Sequence, residues 1–560
     1  MMYFPDNPFQ TEHAPGIKLS HITATCLLCL AWILPGLIGH EPWKPDEAHS
    51  FGLVFHILNH GDWVVPTLAG EPYMEKPPFF YLSAAFFGWL FSPFLPLHDA
   101  ARLASGFYIA VTLVCIGLAG RALYGRGQGT MSALLLLGCL GLLVRAHQLV
   151  SDIGLLAGFA LCLYGLALNR EHPLQAGLLT GTGVGLGFMS RGTLAPMVMA
   201  LTCLLLPLLF REWRDRRYAL TILIAAIASA PWLIIWPYAL YQHSPELYHQ
   251  WLWVQDLERL IGLAPAGNEA SAWYFLKTLP WFAWPALPLA LWTLWHGRRK
   301  IFNRAEIQLP LVLLVALYAV LSLDTDTHDL DALPLLLPIV LLATPALGTL
   351  TRSAANALDW FGIMTFGLLA LGLWLGWLAL MTGSPAGIAT RLNEYLPGYN
   401  LPFNLFHFLI AVAFTLGWLS LISRIGRSNR RAVINWAGGI TMVWMLAMTL
   451  WLPWLDVSKN YRWMMASLQQ SLPAEFQCIS SRGLGKTQRS MLEYYTGIIT
   501  RRMELSGTAD CDLLLIQSRS QETPSVSPGW EKIWEGSRPG DLNERYRLYQ
   551  KQERSYATQG

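Results

Sequence analysis

The sequence predicts a polytopic α-helical membrane protein of about thirteen transmembrane helices, followed by a small water-exposed α/β domain at its C-terminal end. Three observations predict it. Of 560 residues, 54% are hydrophobic and only 13% charged, with a mean hydropathy of +0.37, whereas soluble domains carry roughly a quarter charged residues. Apolar runs long enough to span alternate with short polar breaks as far as residue 455, and the pattern stops abruptly at Asp456. The 47 Gly, 34 Pro and 25 Trp fit a membrane protein, where Gly and Pro are tolerated and Trp crowds the interfaces. Together these exclude a plain cytosolic enzyme and a disordered chain, and a net charge of +3 gives no general attraction to nucleic acid.

In order, residues 1–19 read as a polar cytoplasmic tail whose first 17 residues lack Arg, unlike a transit peptide. The run Ile22–Gly39 has neither the charged n-region nor the small-residue cleavage site of a signal peptide, so it reads as a retained first helix. Candidate spans then fall at 20–39, 78–97, 104–123, 130–146, 152–168, 174–190, 193–210, 219–240, 273–295, 308–323, 333–350, 360–381, 402–423 and 433–455. If every one spanned, Arg121 and all later basic clusters would lie on the wrong side for the positive-inside rule. Demoting 78–97, which opens on Pro77-Pro78 and is interrupted at Pro93 and Pro96, to an interfacial or re-entrant helix repairs them all. The expected domains are therefore the tail, a membrane domain over 20–455 with a first external loop at 40–103, and an external soluble domain over 456–560. This topology places Asp46, Lys76, Asp152, Arg191, Arg259 and the acidic run 324–331 on one face of the membrane, able to converge.

The most informative stretch is Lys44-Pro-Asp46-Glu47-Ala-His49, continuing through Gly61-Asp62-Trp63-Val64 and Pro66 to Gly70, Pro72-Tyr73 and Glu75-Lys76-Pro77-Pro78. An acidic pair just after a spanning helix is expensive unless hydrated, paired or functional. Its plain structural role would be a helix cap, with Asp46 capping a helix that starts near Ala48. The whole ordered series resembles the first external loop of the bacterial aminoarabinose (lipid A) transferase and protein O-mannosyltransferase superfamily, membrane glycosyltransferases of GT-C fold, and the ladder of spans extends the likeness to about residue 455.

The resemblance implies sugar transfer from a polyprenyl-phosphate donor at the outer face of a bacterial inner membrane, with inversion at the anomeric carbon. The leaving lipid phosphate develops negative charge that fixed cations must meet. Lys76 is the first choice. Arg259, in Gln255-Asp256-Leu-Glu258-Arg259, resembles the family's loop arginine, and Arg191, in Ser190-Arg191-Gly192, stands where relatives often have lysine. Each could instead be a side chain snorkelling from a helix end. Tyr73 joins the expected donor-phosphate group. Asp46 is expected as the catalytic carboxylate, either a general base or an orienting charge. Asp152, in Ser151-Asp152, resembles the family's second carboxylate and is expected as the second catalytic residue, shaping the acceptor or sugar pocket, with a helix N-cap as its plain alternative. Glu47, His49, Glu75 and Asp331 are expected to line the substrate pocket.

Two departures stand out. His49 replaces the arginine of many members, and Asp324-Thr-Asp326-Thr-His328-Asp329-Leu-Asp331 occupies a position where relatives carry basic residues and a tyrosine. These acids could ligate a metal, but no second ligand cluster supports one, so neither metal nor cofactor is expected. A pocket tuned to a different or positively charged sugar, or donor-phosphate binding that relies on other cations, is the better reading of them. Six cysteines lie in or near spans. Cys478 and Cys511, alone in the external domain, each open a strand-like run and are expected to pair in an oxidising compartment. Gly483-Leu-Gly485-Lys486-Thr487 is similar to part of a P-loop but lacks the first glycine at the required spacing.

The expected partners are thus a polyprenyl-phosphate-sugar donor, a glycolipid such as lipid A or lipopolysaccharide as acceptor, and the lipid bilayer, with no nucleic acid; a monomer suffices in relatives. A protein acceptor is the alternative within the class. A lipid-linked-sugar flippase is the alternative outside it, but transporters place ionisable residues on broken helices at midplane, whereas these gather in external loops.

Overall fold

The computed structural model describes residues 19–260, 271–298, 304–324, 327–426, 428–507, 511–541 and 543–552; the expected tail and Asp326 lie outside them. The first ten helices are α1 (Leu19–Ile33), α2 (Asp46–His60), α3 (Phe79–Phe91), α4 (Leu97–Tyr124), α5 (Gln128–Leu137), α6 (Leu140–Arg145), α7 (Asp152–Ala167), α8 (Pro173–Arg191), α9 (Leu194–Leu209) and α10 (Arg216–His243). Among the described residues six helices are long and apolar enough to cross a membrane by length and composition, and six shorter apolar helices accompany them. Several expected spans are divided rather than continuous. The span at 130–146 breaks between α5 and α6, where the indole of Trp436 donates to the freed Gly138 carbonyl at 2.9 Å and Leu140 N–H donates to Trp284 O at 3.2 Å. Such replacement partners are what allows a break in an apolar setting. The span at 273–295 is likewise split into Ser271–Phe282 and Ala286–Gly297 around Pro285.

The segment 78–97 becomes α3, whose 13 residues rise only about 20 Å, short of a ~30 Å hydrocarbon core. Just before it, the chain turns at Ala69 (φ 48°) and Gly70 (φ 80°), the paired left-handed residues of a type I′ hairpin. That turn joins β1 (Thr67–Leu68) to β2 (Glu71–Pro72) and aims Glu75-Lys76 back at the bundle. Helices α7 and α8 run antiparallel with their backbones close: a Cβ on Gly158 would lie 2.6 Å from the Gly183 carbonyl oxygen. Small residues permit that approach in membrane bundles, and the pairing brings the first residue of α7, Asp152, beside the last of α8, Arg191. The segment Asp329–Thr349 is buried within the bundle along its apolar window.

After the helix Leu452–Lys459 the chain forms the expected α/β domain. Its five-stranded sheet has the order β4-β3-β5-β7-β6, with β3 (Ile479–Arg482) parallel to both β4 (Arg501–Arg502) and β5 (Leu513–Arg519). β7 (Glu544–Lys551) is antiparallel to β5 and to β6 (Trp530–Gly536). A disulfide joins Cys478 to Cys511, tying the residues just ahead of β3 and β5. This domain is not a loose appendage. Its helix Lys486–Thr496 packs along α2, where Tyr494 meets the rings of Phe51 and Phe55 edge-on at 4.8 and 5.2 Å. Polar bonds flank that seam: Lys44 to Asp541 at 2.9 Å, Arg489 and Arg502 to Glu71 at 3.0 and 3.1 Å, and Tyr495 to Glu41 at 2.9 Å.

Candidate active site

Asp46 and Glu47 open α2 together but point to different fates. The helix is preceded by Pro45 and has no side-chain cap, so Asp46 does not play the capping role. Its carboxylate stays 40% exposed, with one contact to Arg145 at 3.4 Å. Glu47 is sealed away: it binds the Arg102 guanidinium and accepts Trp43 N–H at 3.1 Å. Arg102 also holds Asp99 at 2.7 Å and donates to the carbonyls of Leu37 and His40 at 3.0 and 3.1 Å. Glu47 therefore does not line the open site with Asp46.

Lys76 lies on Asp152. The ammonium is 2.8 Å from Oδ2, and Lys76 is 21% exposed while Asp152 is fully buried. The other oxygen of Asp152 takes Arg191, whose second nitrogen binds Asp331. Asp152 is the first residue of α7 and caps nothing, since both its oxygens are taken by cations. Asp331 in turn accepts His328 N–H at 2.8 Å and so fixes the 3-10 turn Asp329–Leu335. Burial lowers the Lys76 pKa, and the ion pair with Asp152 works against that.

Around this four-residue core stand the other expected residues. Tyr73 donates to Glu75 at 2.9 Å, and its buried ring meets His49 edge-on at 4.9 Å. Burial, with Lys486 and Lys76 nearby, pushes His49 down to about 3, so at neutral pH this replacement for a permanent cation carries no charge. Arg259 reaches Asp324 at 2.9 Å and remains 30% exposed. Among the described residues the acids of this run are each paired: Asp324 faces Arg259, Asp331 faces Arg191, and Asp329 faces Arg145 at 3.7 Å and the Tyr274 hydroxyl.

Three contributors escaped sequence reasoning. Arg145, at the end of α6, connects Asp46 to Asp329 and to Gln148, at 3.0 Å. A basic residue on a face otherwise depleted of them is itself a signal under the positive-inside rule. Lys486, from the P-loop-like fragment, binds Glu75 and stands 5.6 Å from the Tyr73 ring centre, bringing the C-terminal domain to the site's edge. Asp256 accepts Thr193 N–H at 2.8 Å, and burial raises it to about 6. It abuts Gly192, where φ is +76° and a Cβ would lie 2.5 Å from the carboxylate, so glycine is required immediately after Arg191.

A family model for dolichyl-phosphate-mannose-protein mannosyltransferase matches residues 75–236, from Glu75 into α10. An undecaprenyl phosphate-α-4-amino-4-deoxy-L-arabinose arabinosyl transferase of Sodalis glossinidius is 29% identical over 59% of this chain and 59% of its own length. One from Yersinia enterocolitica is 29% identical over 53% of this chain and 55% of its own. The chain thus spans less than two thirds of the length of these curated relatives. The crystal structure of ArnT from Cupriavidus metallidurans bound to undecaprenyl phosphate covers 95% of this chain and 98% of that one, with a TM-score of 0.69 at 16% identity. The fold is therefore that of this ArnT structure. The similarity to the aminoarabinose transferase and protein mannosyltransferase superfamily extends well beyond the first-loop motif, and the chain is an integral membrane protein.

Proposed function

We propose that this protein is a glycosyltransferase of a bacterial inner membrane, moving a sugar from an undecaprenyl-phosphate donor to a periplasm-facing glycolipid such as lipid A. The observation that carries the reading is the pairing of Lys76 and Arg191 on one buried carboxylate, Asp152, at the end of the bundle where Asp46 stays exposed. In the reaction the bond between the anomeric carbon and the donor phosphate breaks, its electron pair leaving with the lipid phosphate, and a bond to an acceptor oxygen forms. Lys76, Arg191 and Arg259 meet the charge on the departing phosphate, held in place beforehand so that no reorganisation is needed as it develops. Asp152 acts through them as a positioning residue. Asp46 receives the proton of an acceptor hydroxyl; an acceptor phosphate is already ionised and would be oriented by Arg145 instead. Of the acids in that run, Asp329, whose carboxylate is 52% exposed, suits a sugar bearing an amino group, as in the names of the relatives. The external placement of site and C-terminal domain is supported by the positive-inside arrangement of the basic clusters.

The test is mass spectrometry of lipid A, core oligosaccharide and envelope proteins from a deletion strain complemented with wild type or Asp46→Asn. A sugar-sized mass on a glycolipid should return with wild type only, with transfer by the variant reduced about 10²- to 10⁴-fold. Loss confined to proteins would move the acceptor to a polypeptide, and lipid-linked sugar trapped on the cytoplasmic face would replace the transferase with a flippase.

A further inference from the structure

A second constellation lies on the far end of α2 from Asp46, and none of its members takes part in the proposed transfer. His56 and His60 sit one helical turn apart on the same face, their rings stacked at 4.2 Å. Glu493 reaches them from the helix Lys486–Thr496 of the C-terminal domain, and donor atoms of all three lie within 4.8 Å of one another. His56 Nδ1 is 3.4 Å from Glu493 Oε1, and His56 Nε2 is 3.4 Å from Asp62 Oδ2.

We propose that His56, His60 and Glu493 form a zinc-class divalent metal site that staples the C-terminal domain to the first external loop. Two features point to a cation rather than to a plain hydrogen-bonded cluster. The Glu493 side chain is only 4% exposed, yet its Oε2 is buried with no hydrogen-bond partner among the described residues. A carboxylate oxygen left so is costly and calls for an occupant. The 3.4 Å separation of His56 Nδ1 from Glu493 Oε1 also fits a metal held between them. It is the edge expected between two ligands of a tetrahedral zinc with metal–ligand distances of about 2.0–2.1 Å.

The donor chemistry agrees. Two imidazoles and one carboxylate suit zinc, and the turn-spaced pair offers both rings from one helix face. Asp62 completes the arrangement from outside. With His56 bound through Nδ1, its Nε2–H points to the Asp62 carboxylate, the orienting contact that metal-ligating histidines commonly make. His60, at the exposed end of α2, leaves the fourth position to water. The sequence expectation of no metal rested on the acidic run 324–331. This set was invisible there because Glu493 lies 433 residues beyond His60 in the chain.

The test uses the purified full-length protein in detergent, stripped with chelator and titrated with ZnCl2, and reads bound zinc per chain by elemental mass spectrometry and Tm by thermal unfolding. Wild type should bind one zinc per chain and unfold at higher temperature with it. His60→Ala, at an exposed position, should remain folded by size-exclusion chromatography and lose both responses; Glu493→Gln should do the same. Asp62→Asn should retain binding at about 10- to 100-fold lower affinity. Absence of zinc binding in wild type would overturn the site, as would stoichiometric binding and an undiminished Tm response in His60→Ala. Sugar transfer is not a readout here, so this result stands apart from that of the proposed function.

Discussion

Two ionic networks, one begun by Glu47 on α2 and one by Lys76 just ahead of α3, differ in a way that separates architecture from chemistry. In the first, Glu47, Arg102 and Asp99 are each at most 3% exposed, and the polar ends of Arg102 are spent on carboxylates and backbone carbonyls. In the second, Asp152 is as deeply buried, but the cations it holds, Lys76 and Arg191, keep 21% and 11% of their side chains open. Closure is the difference. A network satisfied on every side can only fix the chain, whereas cations anchored from behind and open in front are available to an incoming phosphate. Burial of an acid beside a base thus says little about function until the free direction is known.

The contrast breaks most severely at Arg102. Arg102→Met would leave Glu47 and Asp99 buried without their counter-charge, and removing one partner of such a pair costs about 3–5 kcal/mol. Thermal unfolding in detergent should show a large loss of Tm, while the fraction that remains folded keeps its donor affinity. Unchanged Tm would mean that this network is less closed than its hydrogen bonds indicate. Lys76→Met should behave in the opposite way. Asp152 retains Arg191, so Tm should move little, but kcat/KM for the lipid-phosphate donor should fall about 10²- to 10³-fold, as for loss of one preorganised charge stabiliser. A large Tm loss with intact turnover would make Lys76 a structural residue after all.

Much of this site was legible before any coordinates. The first-loop motif located Asp46, Tyr73, Glu75 and Lys76 because they lie within 31 residues of one another, and charge asymmetry put Asp152, Arg191 and Asp331 on the same face. What spacing could not show was which oxygen each cation would occupy. Asp46 and Glu47 are chemically alike neighbours, and only the arrival of Arg102 from α4 separates them. Arg145 and Lys486 went unseen because their partners are distant in sequence: Asp46 and Asp329 for one, Glu75 for the other. The broken spans were hidden for a related reason. Hydropathy registers the apolar run at 130–146, but not the Trp436 indole that allows it to bend at Gly138.

The mildest way to sharpen the comparison is to titrate a group on the rim of the open network. Asp256 lies in the helical segment Gln250–Leu257, against Gly192 just after Arg191, and burial raises its pKa to about 6, above the ordinary carboxylate value of about 3.9. A carboxylate raised on folding is penalised when ionised. The penalty is absent at low pH, where both states are protonated, and grows as pH rises toward and through 6. Two units correspond to about 2–3 kcal/mol at most. Asp256→Asn keeps an oxygen to accept Thr193 N–H but cannot ionise. Relative to wild type it should therefore gain stability at pH 7.5 and approach parity near pH 4, read as the difference in Tm between the two proteins at each pH. A difference that stays flat from pH 4 to 7.5 would show that Asp256 is not desolvated, and that the open side of the network reaches behind Arg191 as well as in front of it.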